Sequence, residues 1–152
     1  MIINRSTQYT LQALLHLVGH PTGGPLLARE LAEQLNLPQP YLAKLLQGPC
    51  RLGWLTSIRG RGGGFVLNPG AEHVTLLDVL ALSRGERSSR ECLLGFKACD
   101  DATACAMHCQ WKPVKREILG HFGHFTLAEL AAHKTLPDLL VKPKLVRQKA
   151  SR

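Results

Sequence analysis

The sequence predicts a mainly α fold with a small β-hairpin, and three observations carry that prediction. Leucine stripes at helical spacing run through residues 11–46, and an apolar stripe returns in residues 105–125. Between them lie two short β-rich runs, Trp54-Leu55-Thr56-Ser57-Ile58-Arg59 and Phe65-Val66-Leu67, joined by Gly60-Arg61-Gly62-Gly63-Gly64. Two short helical segments linked by a tight turn stand directly before that hairpin.

The first helix covers residues 5–19, where Leu11, Leu14, Leu15 and Val18 fall on one stripe. His20 to Pro25 reads as a loop, rich in Gly and Pro. A second helix is expected from Leu26 to Leu35, with Leu27, Leu31 and Leu35 on one face, stopping at Asn36 before Pro38. Pro40 suits the first position of the next helix, where its missing N–H costs nothing. Leu42, Leu45 and Leu46 face the core there, which leaves Gln39, Tyr41, Ala43 and Lys44 pointing outward. Gly48-Pro49 is expected to end or kink this helix early. The pair has the proportions of a helix-turn-helix with its second helix as the reading helix, and the basic hairpin after it is a wing.

Thr75 suits the N-cap of a short helix over Leu76–Leu82. Residues 84–104 look irregular. A long helix is expected from Cys105 to about Phe125, with Trp111, Val114, Ile118 and Phe122 on a stripe that one small domain does not cover. Thr126 then opens a further helix. The expected organisation is a winged helix-turn-helix domain at 1–83 and a cysteine loop at 84–104. A dimerisation helix with a short following helix fills 105–133, and a basic, flexible tail fills 134–152.

Composition narrows the function. The chain has 152 residues, 45% of them hydrophobic, enough for one domain with a real core. Its net charge of +8 is uneven. Residues 1–70 carry six Lys/Arg against two Asp/Glu, residues 71–133 seven against eight, and residues 134–152 six against one. Basic ends attract polyanions, nucleic acid before anionic membrane. No apolar run reaches the ~18 residues that a membrane helix needs, and the N-terminus lacks the pattern of a secretory signal, so a cytoplasmic protein without a membrane partner is expected. Five cysteines in that setting read as metal ligands or reactive thiols rather than disulfides.

The hairpin chemistry suits duplex DNA. Arg59 and Arg61 are permanent cations with forked donors, fit for phosphates, a narrow minor groove or a guanine edge. Gly60 and Gly62 let the backbone come close to a neighbour. Gln39, Tyr41 and Lys44 belong to the reading helix, and Lys44 and Arg51 add phosphate contacts that position without reading sequence. A nucleotide loop is excluded, because Gly60-x-Gly62 would need glycine where Phe65 stands and no Lys-Ser/Thr follows. The sequence offers no nucleophile–base pair and no paired carboxylates, Asp100-Asp101 reading as a solvated loop, so no enzyme is expected.

Four of the five cysteines lie within residues 92–109, in the order Cys92, Cys99, Cys105 and Cys109, with His108 before the last. Three thiolates on a loop that ends at a helix N-terminus can converge on one centre, and His108 stands three residues after Cys105. The spacing lacks the C-x2-C pairs of an ordinary zinc site, so an iron–sulfur cluster, zinc and a metal-free thiol site all stay open. Cys109 is a spare ligand or thiol. Cys50, alone near the reading helix, reads as a small buried apolar residue. His16, His20, His73, His121, His124 and His133 read as packing or surface.

Together these pieces resemble the IscR/NsrR type of winged-helix regulator, the Rrf2 family, over about residues 1–133. The carrying motifs are Pro40-Tyr41-Leu42, Gly53-Trp54-Leu55, Arg59-Gly60-Arg61-Gly62-Gly63-Gly64-Phe65, the Cys92/Cys99/Cys105 triad and Thr126-Leu127-Ala128-Glu129-Leu130. The resemblance implies a homodimeric transcription regulator, repressor or activator, whose long C-terminal helices cross beside the cluster loop. It implies DNA affinity controlled by a cluster that responds to iron–sulfur status, nitric oxide or redox stress. By the same resemblance Cys92, Cys99 and Cys105 are ligands and His108 matches the histidine ligand of the IscR branch. The NsrR branch draws an acidic ligand from the partner's first helix, where this chain has Gln8. That favours His108 and a 2Fe–2S centre over 4Fe–4S. The rivals are a same-fold regulator using a metal-free thiol switch or a small-molecule effector, and an electron-transfer protein, which has little need of a basic wing.

Overall fold

The computed structural model describes residues 3–20, 24–84, 92, 94, 96 and 99–132. The expected tail at 134–152 and much of the 84–104 segment lie outside them. The elements in chain order are α1 (Arg5–Val18), β1 (Leu26–Leu27), α2 (Ala28–Gln34), α3 (Gln39–Arg51), β2 (Leu55–Ser57) and β3 (Gly64–Leu67). A 3-10 turn at Ala71–His73, then α4 (Leu76–Arg84), α5 (His108–His124) and α6 (Leu127–Ala131) complete the fold. Among the described residues no helix is long and apolar enough to cross a membrane.

α1 is the central helix. Asn4 caps it, its side-chain oxygen accepting from the Thr7 N–H at 2.8 Å. Ala13, Leu14, Leu15 and Leu17 are buried and share one core with Leu31 of α2, Leu42 and Leu46 of α3, Val79 of α4 and Leu127 of α6. Around α1 pack α3, α4, α6 and β3. The α2–α3 turn is tight because Asn36 takes a left-handed conformation at φ 51°, which lets the Leu37 N–H return to the Ala32 carbonyl at 2.9 Å.

Three expectations need correction. Leu26 and Leu27 are not helical: they pair with Phe65 and Gly64, giving an antiparallel sheet in the order β1-β3-β2. The physical reason is the wing's free edge, whose backbone groups this short strand satisfies. Pro49 does not end α3, which runs on to Arg51. Its ring is fully buried and its carbonyl accepts from Trp54 N at 3.0 Å, so packing outweighs the missing donor. The long helix starts at His108 and not at Cys105, which lies in the preceding turn and accepts from the His108 N–H at 2.9 Å.

The C-terminal segment closes onto the body through matching caps. Thr126 and Glu129 form a capping box on α6, Thr126 N donating to Glu129 Oε2 at 2.8 Å. Thr75 and Asp78 do the same for α4, with Thr75 N to Asp78 Oδ2 at 2.9 Å. The caps lie side by side: Leu76 N donates to the Phe125 carbonyl and Leu127 N to the Val74 carbonyl, both at 2.9 Å.

The wing is held at its base by Asn68, which donates to the Gly53 carbonyl at 2.8 Å and accepts from Thr56 Oγ1 at 2.7 Å. Gly64 is demanded by packing, since a Cβ there would overlap the Leu26 backbone carbonyl of the neighbouring strand. Gly64→Ala should therefore destabilise the protein by about 2–3 kcal/mol, as overpacking of rigid backbone does. Gly60→Ala meets open space and carries only the cost of φ +101°, about 1–2 kcal/mol. Urea unfolding of both variants checks the order; a Gly64→Ala protein as stable as wild type contradicts the β1–β3 packing.

Candidate functional site

The exposed face of α3 and the hairpin tip form one surface. Gln39, Lys44 and Arg51 are exposed along α3, and Arg59, Gly60, Arg61 and Gly62 are exposed at the tip. Gly60 and Gly62 turn the chain at φ +101° and +85°. None of Lys44, Arg51, Arg59 and Arg61 pairs with a described acidic side chain, so four cations face outward uncompensated. Gln39 and the glycines 60, 62 and 63 border a shared cleft of about 440 Å³ together with Arg29 and Glu30. The start of α3 and the hairpin tip are thus neighbours, which sequence spacing does not reveal.

Tyr41 departs from its expected outward position. It is half-buried, its hydroxyl 3.3 Å from Ser6 Oγ and its ring edge-on to Tyr9 at 6.3 Å between centroids. It ties the first turn of α3 to α1 and so sets the angle at which α3 is presented.

The cysteine segment is organised around His108, the buried residue of α5, which is only 5% exposed. Its Nδ1 lies 3.5 Å from Cys99 Sγ and its Nε2 lies 2.9 Å from Asp101 Oδ1. Lys112 Nζ donates to both Asp101 oxygens at 2.7 Å. Hydrogen bonds from Lys112 first, then from His108, hold the Asp101 carboxyl below the usual carboxylate range. An ionised Asp101 can only accept, so the imidazole turns an Nε2–H toward it and its Nδ1 edge toward Cys99. Nothing in the sequence marks Asp101 as functional, because no periodic signal links it to His108 across an irregular turn. Asp100 serves the turn itself, accepting from Thr103 N at 2.8 Å and Thr103 Oγ1 at 2.7 Å, which lowers its pKa.

Cys92, Cys99 and Cys105 are half-buried and Cys109 is exposed. Two donors bound to one tetrahedral centre at about 2.3 and 2.0 Å stand about 3.5 Å apart, so Cys99 and His108 already have the spacing of a ligand pair. Asp101 behind the imidazole supplies the usual outer partner of a metal-bound histidine. Cys92 and Cys105 have the right chemistry, but among the described residues no three His, Cys, Asp or Glu side chains are gathered at metal-binding distance. Cys50 packs against the core and burial pushes its thiol pKa up, in keeping with a structural residue.

The apolar stripe of α5 is incompletely covered. Val114 is 45% exposed, while Trp111, Ile118 and Phe122 are half-buried. The Trp111 indole nitrogen is out of reach of solvent yet has no hydrogen-bond partner among the described residues.

Comparison with known proteins bears on both regions. The Rrf2 family, described as an iron-dependent transcriptional regulator, matches residues 3–133. The HTH-type transcriptional regulator IscR of Serratia proteamaculans is 26% identical over 141 residues, 93% of this chain and 84% of the relative. Among solved structures, CymR of B. subtilis, named a global cysteine regulator, superposes with a TM-score of 0.69 at 26% identity, covering 85% of this chain and 95% of the other. T. potens IscR shares the fold with a TM-score of 0.63 at 23% identity, covering 84% of each chain.

Proposed function

Because this chain belongs to the Rrf2 family of transcriptional regulators, we propose that it binds operator DNA as a cytoplasmic homodimer and that an iron–sulfur cluster on Cys92, Cys99, Cys105 and His108 sets its affinity. The carrying observation is the Cys99–His108–Asp101 arrangement, a ligand pair with its outer partner, where the cysteine segment turns into α5 at His108. When bound, such a cluster supplies redox-sensitive iron–thiolate bonds that hold their ligands at fixed separations. A 2Fe–2S form fits three thiolates and one imidazole.

On DNA, α3 presents Gln39 and Lys44 to the major groove while Tyr41 holds its first turn against α1, and Arg51 meets phosphate. Arg59 and Arg61 reach the flanking backbone or minor groove, where Gly60 and Gly62 allow close approach. The route from sensor to reading helix is short. α5 packs on α4, and Leu82 of α4 lies so close to Gly48 of α3 that a Cβ on Gly48 would come within 2.8 Å of it. A shift of α4 therefore moves α3, since packed helices slide as bodies.

The second protomer covers the α5 stripe of Trp111, Val114, Ile118 and Phe122. The chain should be a dimer in solution at micromolar concentration by light scattering, with or without iron, and should protect half-sites about one helical turn apart. A monomer under both conditions contradicts this.

A second reading keeps the same fold and DNA but replaces the cluster by a metal-free thiol switch. What favours it is that Cys92 and Cys105 are not gathered with the Cys99–His108 pair, and that a cysteine regulator is among the similar structures. Anaerobic purification separates the two: a brown protein with charge-transfer absorption and iron-dependent DNA affinity supports the cluster, and colourless protein after reconstitution supports the thiol switch.

A further inference from the structure

Cys99, His108 and Asp101 stand in a hydrogen-bonded row, at 3.5 Å and 2.9 Å, in the order thiol, imidazole, carboxylate. That is the order of a nucleophile, its base and the group that orients the base. The row opens into a cleft of about 340 Å³, which Lys112, Lys115, Arg116 and Leu119 also line. This is the size of a small-molecule site. Lys112 pairs with Asp101 and Thr103 donates to Asp100, so three cations and two carboxylates line the cleft. Arg116 is exposed and pairs with no described acidic group, so the cleft offers an anion a forked cation.

We infer that, in the iron-free chain, Cys99 is a modification site that forms a mixed disulfide with anionic low-molecular-weight disulfides such as glutathione disulfide. The thiol proton passes to His108 Nδ1 as Cys99 Sγ attacks one disulfide sulfur. The new Sγ–S bond forms as the S–S bond of the small disulfide breaks, and the departing thiolate takes the proton from His108. The small disulfide is the oxidant: one of its sulfurs stays on Cys99 and the other leaves as the free thiol. Its carboxylates face Arg116. The inference rests on residues 92–109 being the sensing segment, and not on a cluster being bound. A Cys99 held in a mixed disulfide is no longer a thiolate ligand, so modification and cluster loading exclude each other.

The test uses the full chain, reduced and iron-free, with Cys109→Ser to remove the exposed thiol. It is treated with glutathione disulfide or with cystamine, a cationic disulfide, and the modified cysteines are identified by peptide mass spectrometry over time. Cys99 should take up glutathione ahead of Cys92 and Cys105, with a stronger preference for glutathione over cystamine than those two show. Arg116→Ala should slow glutathione uptake at Cys99 about threefold to fivefold, the scale of an exposed ion pair, and should not slow cystamine uptake. Asp101→Asn should slow both probes. Equal rates at the three cysteines, or the same charge preference at all of them, would overturn the proposal. Cluster reconstitution of the same preparation is scored separately: selective Cys99 modification in a chain that takes up no iron upholds this inference while the cluster reading fails.

Discussion

The Arg59→Ala/Arg61→Ala double variant should bind operator DNA about 100-fold more weakly than wild type at ~0.1 M salt. Each phosphate neutralised by the protein adds about 0.9 to the slope of log affinity against log salt, hence close to one decade between ~1 M and ~0.1 M. With both arginines removed the slope should fall by about two, and in each single variant by about one. Both side chains are exposed and neither pairs with a described acid, so the stability of the folded state should change by less than about 0.5 kcal/mol. The checks are anisotropy titrations at several salt concentrations and a thermal melt. Wild-type affinity and slope in the double variant would remove the wing from the interface. A large drop in stability would point instead to a structural role for the hairpin tip.

The second large effect concerns the cysteine segment. Cys92→Ala, Cys99→Ala and Cys105→Ala should each abolish cluster assembly, since one missing thiolate leaves an iron under-coordinated. His108→Ala should give a labile or altered cluster, because water or Cys109 can take the vacant position. Cys109→Ala, at an exposed position, should be mild. In wild type, cluster loading should change DNA affinity by about 5- to 150-fold, the usual range of coupling between two sites. Iron and sulfide assays after anaerobic reconstitution, with DNA binding on each variant, decide the matter, and zinc loading serves as the control metal. Full cluster content in any of the first three variants excludes that residue as an essential ligand. Identical DNA affinity of the wild type with and without iron rules out cluster control and leaves the thiol switch.

The helical body is legible in the sequence because its periodicity is local. Leu31, Leu42 and Leu46 sit three or four residues from other apolar side chains, and each is fully buried. The wing is legible for the same reason: Gly60 and Gly62 are needed by the turn itself, at positive φ. The caps at Thr75 and Thr126 can be found because their partners lie three residues on.

Several features that escape the sequence depend on something distant in the chain. Leu26 and Leu27 have helical periodicity, but an unpaired edge of the wing nearly forty residues later recruits them as a strand. Pro49 carries a helix-breaking signal that a fully buried ring overrides. The helical pattern points Tyr41 outward, but Ser6 and Tyr9 of α1 engage it. The cysteine spacing announces a reactive or metal-binding centre, yet it does not tell which thiol lies against which imidazole. That pairing, and the part of Asp101, arise from an irregular turn whose course is set by hydrogen bonds to Thr103 and Lys112 rather than by any repeat. Residue type and local spacing thus suffice for most of the helices and the hairpin turn, and they single out the basic surface and the cysteine segment. Long-range hydrogen bonding and burial decide strand edges, helix ends and partners, because those free energies exist only once segments far apart in the chain have met.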